Sequence, residues 1–124
     1  MKLQDLVKAT KIFETLSQEK INVRTSYKIM KVLKETKNDV DFWQEKGKEI
    51  IEKYAQRDDN NQIMVTPDQD GVMLQNDKLD DFNKEYNELN ETEIQIPDIK
   101  FEIDEFDEVK LSAVDLMAID EFLK

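Results

Sequence analysis

The chain contains no cysteine and no histidine. The first absence excludes disulfides and a thiolate nucleophile; the second removes the commonest general base, and together they remove the usual zinc ligands. Catalysis is left to carboxylates, lysines, tyrosines and hydroxyls, so the expectation is that the protein is not an enzyme. Glycine is almost as scarce: Gly47 and Gly71 are the only two, which excludes a glycine-rich phosphate loop. No apolar run approaches the length that spans a bilayer. The amphipathic start from Met1 to Thr10 carries Asp5 where a signal peptide has an apolar core. These features predict a soluble intracellular chain that uses no membrane and no cofactor.

What the chain has in abundance is charge, unevenly placed. From Met1 to Arg57 there are thirteen Lys or Arg against nine Asp or Glu, a net of +4; from Asp58 to Lys124 there are five against twenty, a net of −15. The two give the overall −11. A direct nucleic-acid binder needs a basic footprint, and this balance argues against one. An acidic half suits a basic protein partner, imitation of a phosphate backbone, or simple solubility. A length of 124 residues suits one domain, read here as a helical hairpin over 1–57 and an acidic α+β half over 58–124.

The stretch from Val23 to Arg57 is the longest helical pattern without proline, and the rest of the chain is expected to pack on it. Tyr27, Met30, Leu33, Val40, Ile51 and Tyr54 recur at helical spacings and define one stripe, widened by Ile29, Val32, Trp43 and Ile50. Leu33, Val40 and Tyr54 are therefore expected in the core. Asn22 is the expected cap, and Gly47 marks a kink or a close helix crossing. Upstream, Leu3, Leu6 and Val7 fit a short helix with Thr10 capping a second, or one helix runs through to Lys20. Downstream, Ile63–Val65 and Val72–Leu74 flank a turn ending in Asp70-Gly71 and read as a β-hairpin. Asp77 is placed to cap a helix carrying Leu79, Phe82, Tyr86 and Leu89. The alternation of Ile94, Ile96, Ile99, Phe101 and Ile103 around Pro97 reads as an edge strand or two bent strands. Ser112 and Asp115 resemble a capping box that opens a last short helix running through Leu123. The expected class is α+β, mainly α: an N-terminal helical hairpin with one long central helix, a small β-hairpin or strands, and a short C-terminal helix.

The run Asp68-Gln69-Asp70-Gly71 invites comparison with a calcium loop, but the first carboxylate and the bidentate glutamate are missing and the flanks read as strands. A hairpin turn is preferred, and no metal site is assigned. Glu102, Asp104, Glu105, Asp107 and Glu108 form a dense acidic stretch without a marked catalytic pair; a solvated face is its plain reading and a partner-binding patch its functional one. The lone tryptophan, Trp43, joins these as a candidate partner-binding residue, against the simpler reading of a core aromatic. The expected partner is a protein, a basic one being the charge-matched case, with homo-oligomerisation an open alternative. The leading functional expectation is a non-catalytic interaction or assembly protein; the alternative is an acidic inhibitor that mimics nucleic acid on an enzyme.

Four stretches carry a resemblance to a family. They are Leu6-Val7-Lys8-Ala9-Thr10, then Lys20 through Ile29 (KINVRTSYKI), Glu52-Lys53-Tyr54, and Leu111 through Ile119 (LSAVDLMAI). With these residues the chain resembles a group of small proteins of unknown function carried by phages and prophages of Gram-positive bacteria. It departs from that group at Lys11-Ile12 and Ala113, where proline is expected. The resemblance brings no activity and no site residues; it implies the cytoplasm of a bacterial host cell.

Overall fold

The computed structural model describes residues 1–124. Helices α1 (Leu3–Leu16) and α2 (Val23–Tyr54) pack on one another as the N-terminal hairpin. α1 is a single helix, so Thr10 caps nothing: it sits buried in mid-helix and its hydroxyl donates to the Val7 carbonyl at 2.9 Å. Leu3, Leu6, Val7, Ala9, Thr10, Phe13 and Leu16 are buried, the i, i+3, i+4 pattern of one covered face. The helix ends at Leu16, short of Lys20.

α2 begins as expected, with the Asn22 side chain accepting the Thr25 N–H at 2.9 Å. Its 32 residues extend roughly 48 Å. It passes Gly47 without interruption and stops at Ala55, where the backbone becomes extended. The covered stripe is Thr25, Ile29, Val32, Thr36, Gly47, Ile50 and Tyr54. It keeps Ile29, Val32, Ile50 and the expected core residue Tyr54, but is rotated from the centre of the expected stripe. Tyr27 and Met30 remain 58% and 47% exposed, and Leu33, Val40 and Trp43 sit half-buried along its edge. Two threonines take core positions because their hydroxyls are satisfied: that of Thr36 donates to the Val32 carbonyl one turn back at 2.7 Å, and that of Thr25 to the Glu105 carboxylate at 3.0 Å.

Helix α3 (Leu79–Asn90) lies across the C-terminal half of α2. It follows a 3₁₀ turn at Asn76–Lys78, which absorbs Asp77, so that residue provides no side-chain cap. Phe82 meets Tyr54 edge-to-face at 6.1 Å and stacks on Tyr86 at 5.4 Å.

The expected α+β class is not what forms. About 60% of the chain is helical and there is no β-strand. In place of the hairpin at Ile63–Leu74, three short segments meet at one point. Met64 N–H donates to the Gln56 carbonyl at 2.9 Å, Met73 N–H to the Met64 carbonyl at 2.9 Å, and Gln56 N–H to the Met73 carbonyl at 2.7 Å. These bonds close a ring, surrounded by single antiparallel bridges at Ala55–Leu74, Arg57–Ile63 and Val65–Val72. Segments that each pair with two others around a point diverge at once, so no ladder propagates. In the turn before Val72 the left-handed residue is Gln69, at φ 62, and not Gly71.

The second expected strand region, Thr92 to Ile103, is extended but bonded only near its ends. Leu3 N–H donates to the Thr92 carbonyl, Ile94 N–H to that of Met1, and Phe101 N–H to that of Phe122. The alternation was the mark of an extended chain with one side inward: Ile94, Ile96, Ile99 and Phe101 face the core, whereas Ile103 is exposed. Extended backbone needs no ladder partner to show that period.

Beyond a 3₁₀ turn at Ile103–Phe106, helix α4 (Ala113–Ala118) opens with the expected capping box. Ser112 Oγ accepts the Asp115 N–H at 3.0 Å, and the Asp115 carboxylate accepts the Ser112 N–H at 3.1 Å. α4 stops well before Leu123, and a 3₁₀ turn at Asp120–Phe122 swings Phe122 inward. There Phe13 stacks on Phe101 at 5.4 Å and meets Phe122 edge-on at 5.3 Å, with Phe106 beside Phe101 at 5.3 Å. One contiguous core runs from this cluster to Ile50, Tyr54 and Leu89 under α3.

Candidate partner-binding surfaces

Trp43 stands near the middle of α2 where α3 crosses. Its indole N–H donates to Asn90 Oδ1 at 2.8 Å, which fixes the ring while leaving it half-buried. Beside it opens a cleft of about 420 Å³ between α2, α3 and the bonded ring, lined chiefly by Trp43, Gly47, Ile51, Ile63, Val72 and Tyr86. Gly47 helps to shape it, since a side chain there would meet Tyr86 and Leu89; their nearest atoms lie 3.7–3.9 Å from where its Cβ would be. The rim carries Gln44 and the exposed pair Lys48–Glu52, 4.0 Å apart. The cleft is an apolar slot with a rigid aromatic wall and a thin polar border, suited to an apolar side chain.

A second hollow of about 450 Å³ lies on the other flank of the α2–α3 contact. Phe42, Ile50 and Leu89 form its apolar part, and Lys46, Lys53, Glu49, Glu85 and Glu88 surround them. Two ion pairs border it, Lys46–Glu49 at 3.3 Å and Lys53–Glu85, with Glu88 left unpaired. Lys53 Nζ reaches Glu85 at 2.7 Å; that hydrogen bond holds the Glu85 carboxyl below the usual carboxylate range and raises the Lys53 ammonium above its own.

The acidic stretch divides by role. Glu105 turns inward, accepting the Thr25 hydroxyl at 3.0 Å, the Lys28 ammonium at 3.0 Å and the Glu102 N–H at 2.6 Å. Burial pushes this carboxyl up, but those three donors outweigh it and hold it below the usual range. Lys28 in turn donates to the Lys100 carbonyl at 2.8 Å and lies over the Phe101 ring. The first turn of α2 has no acidic residue of its own, so Glu105 supplies from the far end of the chain the negative charge that a helix N-terminus favours. Glu102 pairs with Lys124 at 3.1 Å. Asp104, Asp107 and Glu108 are exposed and make no ion pair.

Trp43 and the acidic stretch are thus two places and not one. Glu105 is tied to Thr25, eighteen residues or roughly 27 Å along α2 from Trp43. Nowhere do three carboxylates converge at metal-binding distance, which is the arrangement a carboxylate–metal hydrolase would need. Of the cleft residues that sequence reasoning did not single out, Gly47 carried a hint as a close-crossing position. Ile63 and Val72 carried none, because a hairpin does not bring them to α2. No helix is long and apolar enough to cross a membrane. Compared with known proteins, the chain matches no protein-family model, no curated protein and no solved structure.

Proposed function

We propose that the protein is a non-catalytic interaction or assembly protein, of the phage-encoded kind its sequence resembles, and that it receives an apolar side chain of a protein partner in the Trp43 cleft. The observation that carries this reading is the cleft itself: an aromatic-walled apolar slot open to solvent, with its tryptophan locked by Asn90. Buried aromatic anchors in pre-formed pockets supply most of the energy of protein interfaces. Ile51→Glu and Ile63→Glu place a charge in the slot without touching the fully buried core. The reading expects a discrete protein retained from bacterial lysate by the parent and lost by both variants, while their thermal melts stay close to the parent's. Retention that ignores both substitutions, or no retention at all, overturns it.

The second reading, an acidic inhibitor or nucleic-acid mimic, is supported by the free carboxylates of Asp104, Asp107 and Glu108. It expects a basic enzyme partner whose affinity falls steeply with salt and with Asp104→Asn/Asp107→Asn/Glu108→Gln. Binding that is flat in salt removes it.

A further inference from the structure

The N-terminal half of α2 carries two seams. Thr25, Ile29, Val32 and Thr36, spaced four, three and four residues apart, form the covered one. Val23, Tyr27, Met30 and Lys34 repeat that spacing two residues earlier, which sets them about 200° around the helix, on the face turned to solvent. Val23, Tyr27 and Met30 are 85%, 58% and 47% exposed. A four-three spacing of apolar residues is the pattern by which one helix packs along another, and within the chain nothing lies over this second seam.

The charge around the seam says what would cover it. From Lys20 to Lys34 there are five cations and no acid, whereas the rest of the chain holds thirteen cations against twenty-nine acids. Lys28 is spent on Glu105 and Lys31 reaches Glu35 only at 3.9 Å; Lys20, Arg24 and Lys34 form no ion pair. Arg24 and Lys31, one heptad apart, border the seam on one flank, while Ser26 and Leu33 border the other. Such a face complements an apolar seam flanked by carboxylates. Nucleic acid has no apolar counterpart for Val23, Tyr27 and Met30. An anionic bilayer presents its charge to the whole acidic molecule, and a helix laid along the seam meets only what lies within a screening length, about 10 Å at 0.1 M salt.

We infer that the Val23–Lys34 face of α2 docks an acidic amphipathic helix of a protein partner, its apolar residues on Val23, Tyr27 and Met30 and its carboxylates toward Arg24, Lys31 and Lys34. The contact is three turns long, about 17 Å, at the small end of interface sizes, so binding is micromolar and reversible. Tyr27 lies sixteen residues, about 24 Å along α2, from Trp43, so this docking and the role of the cleft hold or fail separately.

The test is an amide-resolved NMR titration of the full chain with a synthetic peptide of three heptads, leucine at a and d and glutamate at e and g, whose like charges oppose its own pairing. The signals of Arg24 to Lys34 should move, with a Kd of roughly 10–100 µM in low salt, while the Trp43 indole N–H stays in place. Raising salt to about 0.5 M should weaken binding about tenfold. Tyr27→Ala/Met30→Ala and Arg24→Glu/Lys31→Glu, each first checked for parental helicity, should weaken it by about tenfold or more. No movement of those signals at about 1 mM peptide overturns the inference. So does an equal response to a peptide of the same composition without the heptad period, binding that ignores either double substitution, or shifts centred on Trp43. Phosphatidylglycerol vesicles that broaden the Arg24 to Lys34 signals where the peptide leaves them unmoved would assign the face to lipid and overturn it likewise.

Discussion

Glu105 shows how far a single side chain can act from its place in the sequence. In sequence it is one of five acids between Glu102 and Glu108, yet it alone is turned inward to complete the N-terminus of α2. A carboxyl that is more acidic folded than unfolded adds stability above its unfolded value, near 4.5, and loses it as pH falls through the folded one. Glu105→Gln is therefore expected to destabilise by about 1–2 kcal/mol at neutral pH, with the gap to the parent closing below about pH 4. Urea melts of both proteins across that range test it; a gap that persists in acid would deny the ionised contact. Gly47 offers a change of opposite sign. A methyl group there would enter ordinary van der Waals contact with Tyr86 and Leu89, and alanine is the better helix former. Gly47→Ala should raise stability by about 0.5–1 kcal/mol, read as a higher urea midpoint; a fall would show that the crossing has no room. Gly47 was legible as a kink or a close crossing, and the crossing is what forms; the role of Glu105 was not, because periodicity places a residue on a face without saying what lies opposite.

Sequence periodicity located the helices better than it located their buried faces. Asn22, the Ser112–Asp115 box and the apolar run of α3 marked real boundaries through local chemistry that operates whatever the rest of the chain does. Ile29, Val32, Ile50 and Tyr54 of the expected α2 stripe are covered, but its centre is displaced because hydrophobicity favours Tyr27 and Met30 over Thr25 and Thr36, whereas packing accepts small side chains whose hydroxyls find an acceptor. The consequence is an order of sensitivity. Val32→Asp buries an unpaired charge at a position 0% exposed, costs several kcal/mol and should unfold the protein. Leu33→Asp and Val40→Asp, at the half-buried edge, let the carboxylate reach water and should cost about 1–3 kcal/mol while leaving a folded chain. Lys34→Asp should change stability by no more than about 0.5 kcal/mol. Far-UV circular dichroism melts rank the four; equal loss at Leu33 and Val32 would mean the covered face is wider than the structure has it. The strand expectations failed for a different reason: a run of alternating residues describes an extended segment, and only long-range contacts decide whether it acquires a ladder.

The phenylalanine cluster and the α2–α3 contact lie at opposite ends of one continuous core. Trp43 reports on one end, and Phe122 occupies the other. Phe122→Ala removes an aromatic that is fully buried against Phe13, at a cost of about 3–5 kcal/mol, a large part of the stability of a small domain. If the core is one cooperative unit, that substitution should lower the Trp43 fluorescence transition and the helical transition by the same amount, with the two remaining coincident. A tryptophan transition that stays at the parental midpoint would divide the molecule into separately folding halves at the middle of α2.

The three-bond ring at Gln56, Met64 and Met73 has a further bearing on how this acidic chain behaves when crowded. A free strand border offers a template on which other chains add in register and nucleate fibrils. Here each of the three segments spends its inward-facing amide on the next, and the circuit has neither a first nor a last member. Isotope exchange should find those three amide protons released together, since opening one bond frees its neighbours, and later than the unbonded outward amides of Ile63, Val65, Val72 and Leu74. A region that looked like a hairpin is instead a closed stitch whose inward amides are all occupied, so none of those three is left to template a second chain.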